Sequence, residues 1–170
     1  MVDVDPAASR SKAISIVGRS DSGKTTLIEA LVPRLKHHGL VVGIIKHHHR
    51  TELFDVPGKD TYRFASSGAD VIVGVSPLQT AVFTPRSGDY DLESAIETHL
   101  GSADVVLIEG YKRGDYPKIE VHRSERSPDL LCEPDDIWAL VSDRTWDIDA
   151  RQFGHGDIEA LATVIVEWVR

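Results

Sequence analysis

The chain has 170 residues, of which 41% are hydrophobic and 27% charged, as is ordinary for one globular domain of common size. The net charge of -8 and the isoelectric point of about 5.4 argue against general nucleic-acid binding, which needs clustered Lys and Arg. No run reaches the roughly 18 apolar residues of a membrane span, and Cys132, the single cysteine, excludes an internal disulfide and a cysteine-based zinc cluster. We therefore expect a cytoplasmic protein that binds neither nucleic acid nor membrane.

The predicted elements begin after a polar, aperiodic segment at 1–10, which indicates a loose tail without the pattern of a signal peptide and leaves a domain at 11–170. Hydrophobic periodicity and turn residues predict, in chain order, a strand at 13–17, a helix at 24–38, a strand at 40–45, a short helix from Asp60, strands at 71–75 and 80–83, a helix at 91–100, strands at 105–108, 119–121 and 137–141, and a helix at 158–169 that Asp157 caps. The alternating 119–121 segment is typical of an edge strand. The pattern predicts a single three-layer α/β domain, with a mainly parallel sheet and helices on both faces.

A phosphate-binding loop is predicted between the first strand and the first helix. Gly18, Gly23, Lys24 and Thr25 match the pattern G-x-x-x-x-G-K-[ST] in full. The glycines permit backbone angles that bring N–H groups together on phosphate oxygens, and the helix N-terminus adds partial positive charge. Lys24 would reach the β- and γ-phosphates, and the Thr25 hydroxyl would bind Mg²⁺. The residues at the variable positions are Arg19, Ser20, Asp21 and Ser22.

A carboxylate at the end of a later strand is the candidate partner of this loop. The apolar run at 105–108 leads directly to Glu109 and Gly110, and ligands of open α/β sheets bind at the carboxyl ends of the strands. Glu109 could organise Mg²⁺ or its waters, or it could simply be the exposed residue that ends a buried strand.

A basic segment follows the second strand, where Lys46 and Arg50 flank three histidines at 47–49. The histidines could bind a transition metal, with Asp55 and Asp60 as oxygen ligands, although neighbours on an extended chain point to opposite sides. The segment could instead form a hydrogen-bonding surface for a nucleotide or another phosphorylated ligand, or a solvated loop.

Asp60 follows the turn at Pro57 and Gly58 and has two possible roles. It could cap the short helix that starts there, or it could orient water or Mg²⁺ on the γ-phosphate side. The sequence leaves both roles open.

The order of these motifs is more specific than any one of them. The phosphate loop at 18–26 is followed by IKHHH at 45–49, PGKDT at 57–61, LIEGYK at 107–112, PKIEVHR at 117–123 and ALVSD at 139–143. In this order, over about residues 13–169, the chain resembles the molybdopterin-guanine dinucleotide biosynthesis protein B (MobB) family.

The resemblance implies a GTP-binding P-loop protein, typically a homodimer, that assists molybdenum-cofactor maturation with at most weak GTP hydrolysis. The implied partner is the guanylyltransferase that attaches GMP to molybdopterin, and molybdopterin itself is a possible ligand. The implied ligands are GTP and Mg²⁺.

The resemblance also implies site residues. Residues 18–26, including Thr26, would bind the phosphates, and the same cavity would be lined by Lys46, His47, His49 and Asp60. Asp143 lies where related folds read the guanine base, although the Asn-Lys-x-Asp signature of guanine recognition is absent from the sequence. The candidate catalytic residues are Lys24, Asp60 and Glu109, and the candidate Mg²⁺ ligands are Thr25, Asp60 and Glu109.

Other functions share part of this machinery. A small-molecule kinase would need an arginine-bearing lid, which Arg113, Arg123 or Arg126 could supply, and an acceptor pocket that no residue identifies. A metallochaperone would use the histidines at 47–49 under nucleotide control. A scaffold with a vestigial P-loop fits least well, because the diagnostic residues of the loop are intact.

Overall fold

The computed structural model describes residues 12–47, 54–85 and 91–170. The chain divides into two compact units, one formed by Met1–His47 with Leu92–Arg170 and the other by His48–Asp91. The elements of the larger unit are β1 (Lys12–Val17), α1 (Lys24–His37), β2 (Val42–Lys46), α3 (Leu92–Leu100), β5 (Val105–Glu109), β6 (Lys118–Val121), β7 (Ile137–Val141), β8 (Arg151–Phe153) and α4 (Ile158–Val169), with a 3-10 turn at Pro134–Asp136. The smaller unit contains α2 (Asp60–Ser66), β3 (Ile72–Val75) and β4 (Thr80–Phe83).

The larger unit is built on a parallel sheet of six strands in the order β2-β5-β1-β6-β7-β8, and every neighbouring pair runs parallel. A buried parallel sheet needs helices on both faces. One face carries Ile14, Ile16 and Leu107, which pack with apolar residues of α1 and α4. The opposite face carries Val106 and Ile108, which pack with residues of α3. These layers confirm the predicted α/β fold.

Strand β6 corrects one prediction, because it lies inside the sheet between β1 and β7 and is not an edge strand. All four of its residues are buried, including Lys118 and Glu120. The Glu120 carboxylate accepts hydrogen bonds from the N–H groups of Leu131 at 2.6 Å and Cys132 at 2.9 Å. A buried charge is tolerated when it is hydrogen-bonded. The alternation that predicts a solvent-facing strand comes from Glu120, whose hydrogen-bond partners lie about ten residues further along the chain.

Burial and the Glu120 carboxylate also determine the protonation of the single cysteine, Cys132. Burial, and then the nearby Glu120 carboxylate, raise the pKa of the Cys132 thiol to about 12. Cys132 is therefore protonated at neutral pH, and because only the thiolate is a good nucleophile or metal ligand, it is suited to neither role.

The smaller unit contains α2 and a two-stranded antiparallel ribbon of β3 and β4. Asp60 is the first helical residue of α2, and the N-cap position belongs to Lys59, so of the two roles that the sequence leaves open for Asp60, that of helix cap is wrong. The Asp60 carboxylate is 81% exposed and pairs with Arg63 at 3.5 Å.

Among the residues that the structure describes, none of the helices has the length and apolar character of a membrane-spanning segment.

Candidate phosphate-binding site

The carboxyl ends of the parallel strands gather the candidate residues of the larger unit at one edge of the sheet. The P-loop follows β1, Lys46 ends β2 and Glu109 ends β5. His122 and Arg123 follow β6, and Ser142 and Asp143 follow β7. This is the edge at which open α/β sheets bind ligands.

The P-loop has the backbone that its sequence pattern predicts. Gly18 has φ of 151° and Gly23 has φ of 100°, in the region that L side chains rarely adopt. A Cβ atom on Gly18 would lie 2.4 Å from the Val121 carbonyl oxygen of the neighbouring strand, so only glycine fits there. Asp21 also has a positive φ, of 59°, which completes a tight turn before α1.

The turn leaves amide donors that face no protein acceptor. In the part of the chain that the structure describes, the N–H groups of Gly23, Lys24 and Thr25 make no hydrogen bond to backbone or side chain. The first amides of a helix have no partner within the helix, and together with the helix dipole they attract anions. This arrangement fits a polyphosphate.

Lys24 is folded over the loop. Its ammonium donates hydrogen bonds to the carbonyl oxygens of Gly18 at 3.1 Å and Arg19 at 2.8 Å. Burial lowers the pKa of Lys24, while the carboxylates of Glu109 and Asp21 oppose that shift by favouring the charged form. The loop therefore places a cation beside its amide donors.

Thr25 and Glu109 meet across the sheet edge. The Thr25 hydroxyl donates a 3.0 Å hydrogen bond to Oε1 of Glu109. Glu109 is held in place because the next residue, Gly110, donates its N–H to the Ile16 carbonyl oxygen at 2.9 Å. Hydroxyl, carboxylate and water oxygens are the ligands that Mg²⁺ prefers, so these two side chains are suited to organise that ion.

A second group of residues surrounds the end of β5. The N–H of His47 donates to the Glu109 carbonyl oxygen at 3.1 Å, and Lys46 lies opposite Glu109 in the sheet register. The His47 ring meets the Tyr111 ring edge-on, with centroids 4.9 Å apart. Tyr111 has a strained φ of 59°, and a Cβ on Gly114 would come within 2.3 Å of the Tyr111 ring. The sequence pattern does not mark Tyr111 as a site residue, although the nearby glycines Gly110 and Gly114 indicate an unusual backbone there.

Asp143 is tied to the segment that follows β6. Its carboxylate accepts hydrogen bonds from the Ser124 N–H and from the Ser124 hydroxyl, the latter at 2.8 Å, and lies 3.7 Å from Nδ1 of His122. Desolvation favours the neutral acid, but the Ser124 hydrogen bonds outweigh it and lower the pKa of Asp143. Asp143 is therefore a fixed carboxylate at neutral pH.

The other predicted residues lie on the loop and the first turn of α1, in the smaller unit, or outside the described part of the chain. Ser20 and Thr26 are exposed on the loop and the first turn of α1, and the Arg19 side chain donates to the Ser127 hydroxyl at 3.0 Å. His49 belongs to residues 48–53, which lie outside the described part of the chain, and Asp60 belongs to the smaller unit. No group of at least three His, Cys, Asp or Glu side chains suited to a metal occurs among the described residues.

The family comparison agrees with this architecture. The family model for molybdopterin guanine dinucleotide synthesis protein B matches residues 13–143. The molybdopterin-guanine dinucleotide biosynthesis adapter protein of Escherichia coli is 33% identical over 156 residues, which cover 89% of each chain. The adapter protein of the same description from Haemophilus influenzae is 32% identical over 160 residues, 92% of this chain and 88% of that protein.

Solved structures give the same result in three dimensions. The crystal structure of a molybdopterin-guanine biosynthesis protein B superposes with a TM-score of 0.69 at 30% identity, covering 93% of this chain and 99% of the other. The crystal structure of Bacillus subtilis MobB superposes with a TM-score of 0.74 at 26% identity, covering 94% and 98%. Sequence and structure together show that the chain belongs to the MobB family of molybdopterin guanine dinucleotide synthesis proteins.

Proposed function

We propose that this protein is a GTP-binding adapter in molybdopterin guanine dinucleotide biosynthesis, which assists the guanylyltransferase and hydrolyses GTP weakly at most. The observation that carries the proposal is the P-loop, with Lys24 folded over it and the Thr25 hydroxyl hydrogen-bonded to Glu109 at 3.0 Å. The names of the relatives, which are adapter proteins, support an assisting role in place of the transfer reaction itself.

In this proposal different residues at the sheet edge bind different parts of the nucleotide. Amides of residues 18–26 and the Lys24 ammonium hold the phosphates. Thr25 and Glu109 hold Mg²⁺, which would neutralise charge on the phosphate oxygens. Lys46 and His47 add polar groups at the same edge. Asp60 and His49 remain predictions from the sequence.

Base selection is assigned to Asp143. Asp143 lines an open cavity of about 230 Å³ together with Ser142, Arg144 and residues at the end of β8. A carboxylate can accept two hydrogen bonds from the N1–H and exocyclic amine of guanine, whereas adenine presents an acceptor at N1. The proposal therefore favours GTP over ATP.

Reconstitution with the guanylyltransferase tests the function. We expect the protein to raise the yield of molybdopterin guanine dinucleotide from GTP, Mg²⁺ and molybdenum-loaded molybdopterin, and the Lys24→Ala variant to raise it less. An equal yield with and without the wild-type protein would remove the adapter role. A product phosphorylated on a metabolite would support a kinase instead.

Glu109→Gln is expected to raise the Mg²⁺ concentration needed for tight GTP binding about tenfold, because the amide cannot supply the charge that attracts the ion. The measurement is a Mg²⁺ titration at fixed GTP, followed by nucleotide fluorescence. Glu97→Gln is the control, since Glu97 is an exposed residue of α3. An unchanged Mg²⁺ requirement in Glu109→Gln would exclude Glu109 from the ion site.

The homodimer is assigned to the β3-β4 ribbon. Val73 and Val82 are cross-strand partners on one face, with exposed fractions of 54% and 50%, and Val75 beside them is 78% exposed. A two-stranded ribbon is only marginally stable alone, and an exposed apolar face of this kind marks an interaction surface. A second copy of the chain offers the same apolar face in return.

Val73→Lys is therefore expected to shift the protein from dimer to monomer, because it places a charge in the apolar contact. Sedimentation velocity across a concentration series measures the shift. Val41→Lys is a matched control, since Val41 is also 54% exposed but lies in the larger unit. A wild-type protein that sediments as a monomer, or a Val73→Lys dimer of unchanged strength, would contradict the assignment.

A further inference from the structure

We propose that Arg123 is a positioning residue, which orients the Gly23 amide for phosphate binding by holding the carbonyl group of the same peptide bond. The inference rests on the proposed nucleotide binding and goes beyond it, because Arg123 lies about a hundred residues from the P-loop in sequence and belongs to no part of the phosphate motif.

The contact between Arg123 and the loop is direct. Nε of Arg123 donates a 3.0 Å hydrogen bond to the Ser22 carbonyl oxygen. Its guanidinium also lies beside Gly23, since a Cβ atom on that glycine would be 3.5 Å from Nη2 and 3.6 Å from Nε. Arg123 thus covers the outer side of the peptide bond that joins Ser22 to Gly23.

Because the peptide bond is planar, the orientation of the Ser22 carbonyl group also fixes the orientation of the Gly23 N–H. None of the described peptide bonds is cis, and in a planar trans peptide the C=O and N–H groups point in opposite directions. Holding the Ser22 carbonyl outward therefore directs the Gly23 N–H away from Arg123. This N–H is one of the loop amides that have no acceptor among the described residues.

A contact from another residue is needed because glycine does not by itself fix the orientation of the Ser22–Gly23 peptide plane. Rotation of this peptide plane changes φ of Gly23, and glycine adopts positive and negative φ with nearly equal ease. A flipped peptide would present its carbonyl oxygen where the phosphate oxygens bind, and the two would repel. The charged donor of Arg123 stabilises the orientation in which the N–H faces the ligand.

The segment that carries Arg123 is itself fixed in place. The buried His122 ring contacts the Ser127 carbonyl oxygen at 3.0 Å and the Ser142 hydroxyl at 3.1 Å. Ser127 in turn accepts a hydrogen bond from Arg19 of the loop at 3.0 Å. Arg123 therefore acts from a rigid support on the outside of the loop.

The test compares Arg123→Lys, Arg123→Ala and the control Arg126→Ala. Arg126 belongs to the same segment, and its half-exposed side chain pairs only with Glu125, at 3.6 Å, among the described residues. Affinities for GTP and GDP are measured by calorimetry with Mg²⁺, together with the thermal unfolding midpoint of each nucleotide-free protein. Lysine keeps the charge but cannot place a donor in the plane of a guanidinium.

We expect both Arg123 variants to bind GTP and GDP at least about tenfold more weakly, because the Gly23 amide is no longer held in the orientation that faces the phosphates. Arg126→Ala should bind as the wild type does, and Arg123→Lys should keep the unfolding midpoint of the wild type. Nuclear magnetic resonance supplies the direct readout. On addition of GTP, the Gly23 amide proton should move downfield in the wild type and move less in Arg123→Lys.

Either of two results would overturn the positioning role. One is wild-type affinity in Arg123→Lys, and the other is a Gly23 shift in that variant equal to the wild-type shift. If in such a case Lys24→Ala still weakens GTP binding strongly, the proposed nucleotide binding stands and only the role of Arg123 fails. A wild-type protein that binds no nucleotide overturns both.

Discussion

Replacing Lys24 with alanine is expected to weaken GTP binding by about 100-fold or more, since the ammonium makes charge-assisted hydrogen bonds of about 1.5–3 kcal/mol each and about 1.4 kcal/mol corresponds to a factor of ten. In the structure this ammonium is held over the loop by the carbonyl oxygens of Gly18 and Arg19. It therefore lies beside the unpartnered amides before any ligand contact is made. Titration calorimetry with Mg²⁺ and GTP measures the loss.

Lys36→Ala is the matched control for that experiment, because Lys36 is an exposed residue in the last turn of the same helix. It removes one positive charge of the chain without touching the loop and should leave the affinity for GTP unchanged. Equal affinities for Lys24→Ala and Lys36→Ala would show that the P-loop does not bind the triphosphate.

Gly18→Ala is expected to lower the free energy of unfolding by about 3 kcal/mol, from backbone strain together with overpacking. The added Cβ would lie 2.4 Å from the Val121 carbonyl oxygen and 2.6 Å from Oγ of Ser22, at a φ of 151°. Val121 belongs to an internal strand, so neither the loop nor β6 can move without disturbing the sheet. The same change should abolish GTP binding, because the loop amides would be displaced. Urea unfolding and calorimetry measure the two effects.

Gly39→Ala is the control that separates backbone strain from overpacking. Gly39 also has a positive φ, of 84°, but a Cβ there would meet nothing within 4 Å. Gly39→Ala should lower the free energy of unfolding by only about 1 kcal/mol, which is the cost of the left-handed conformation. It should keep the wild-type affinity for GTP. A Gly18→Ala protein as stable as Gly39→Ala would contradict the packing that we describe between the P-loop and β6.

Local patterns predict most of the sheet and the P-loop because each depends on neighbouring residues. The strand at 13–17, the glycines of the loop and the helix that follows them are adjacent in sequence, and the structure has β1 at Lys12–Val17 and α1 at Lys24–His37. The strand that delivers Glu109 is predicted for the same reason, as a short apolar run that ends at a carboxylate.

Long-range contacts explain what the sequence does not predict. The position of β6 inside the sheet depends on pairing with β1 and β7, and its buried Glu120 depends on the amides of Leu131 and Cys132. The target of Arg123 is a backbone carbonyl of the P-loop, and a backbone acceptor has no signature in the sequence. Strand β8 has only three residues, Arg151–Phe153, too few for a periodic pattern.

The central claim is that the edge of the sheet around the P-loop binds Mg²⁺ and GTP. Isothermal titration of the wild-type protein with GTP and with ATP, each in the presence and absence of Mg²⁺, tests it most directly. We predict saturable binding of one GTP per chain that is tighter than binding of ATP and that weakens when Mg²⁺ is removed. Absence of binding with both nucleotides, or tighter binding of ATP, would contradict this account.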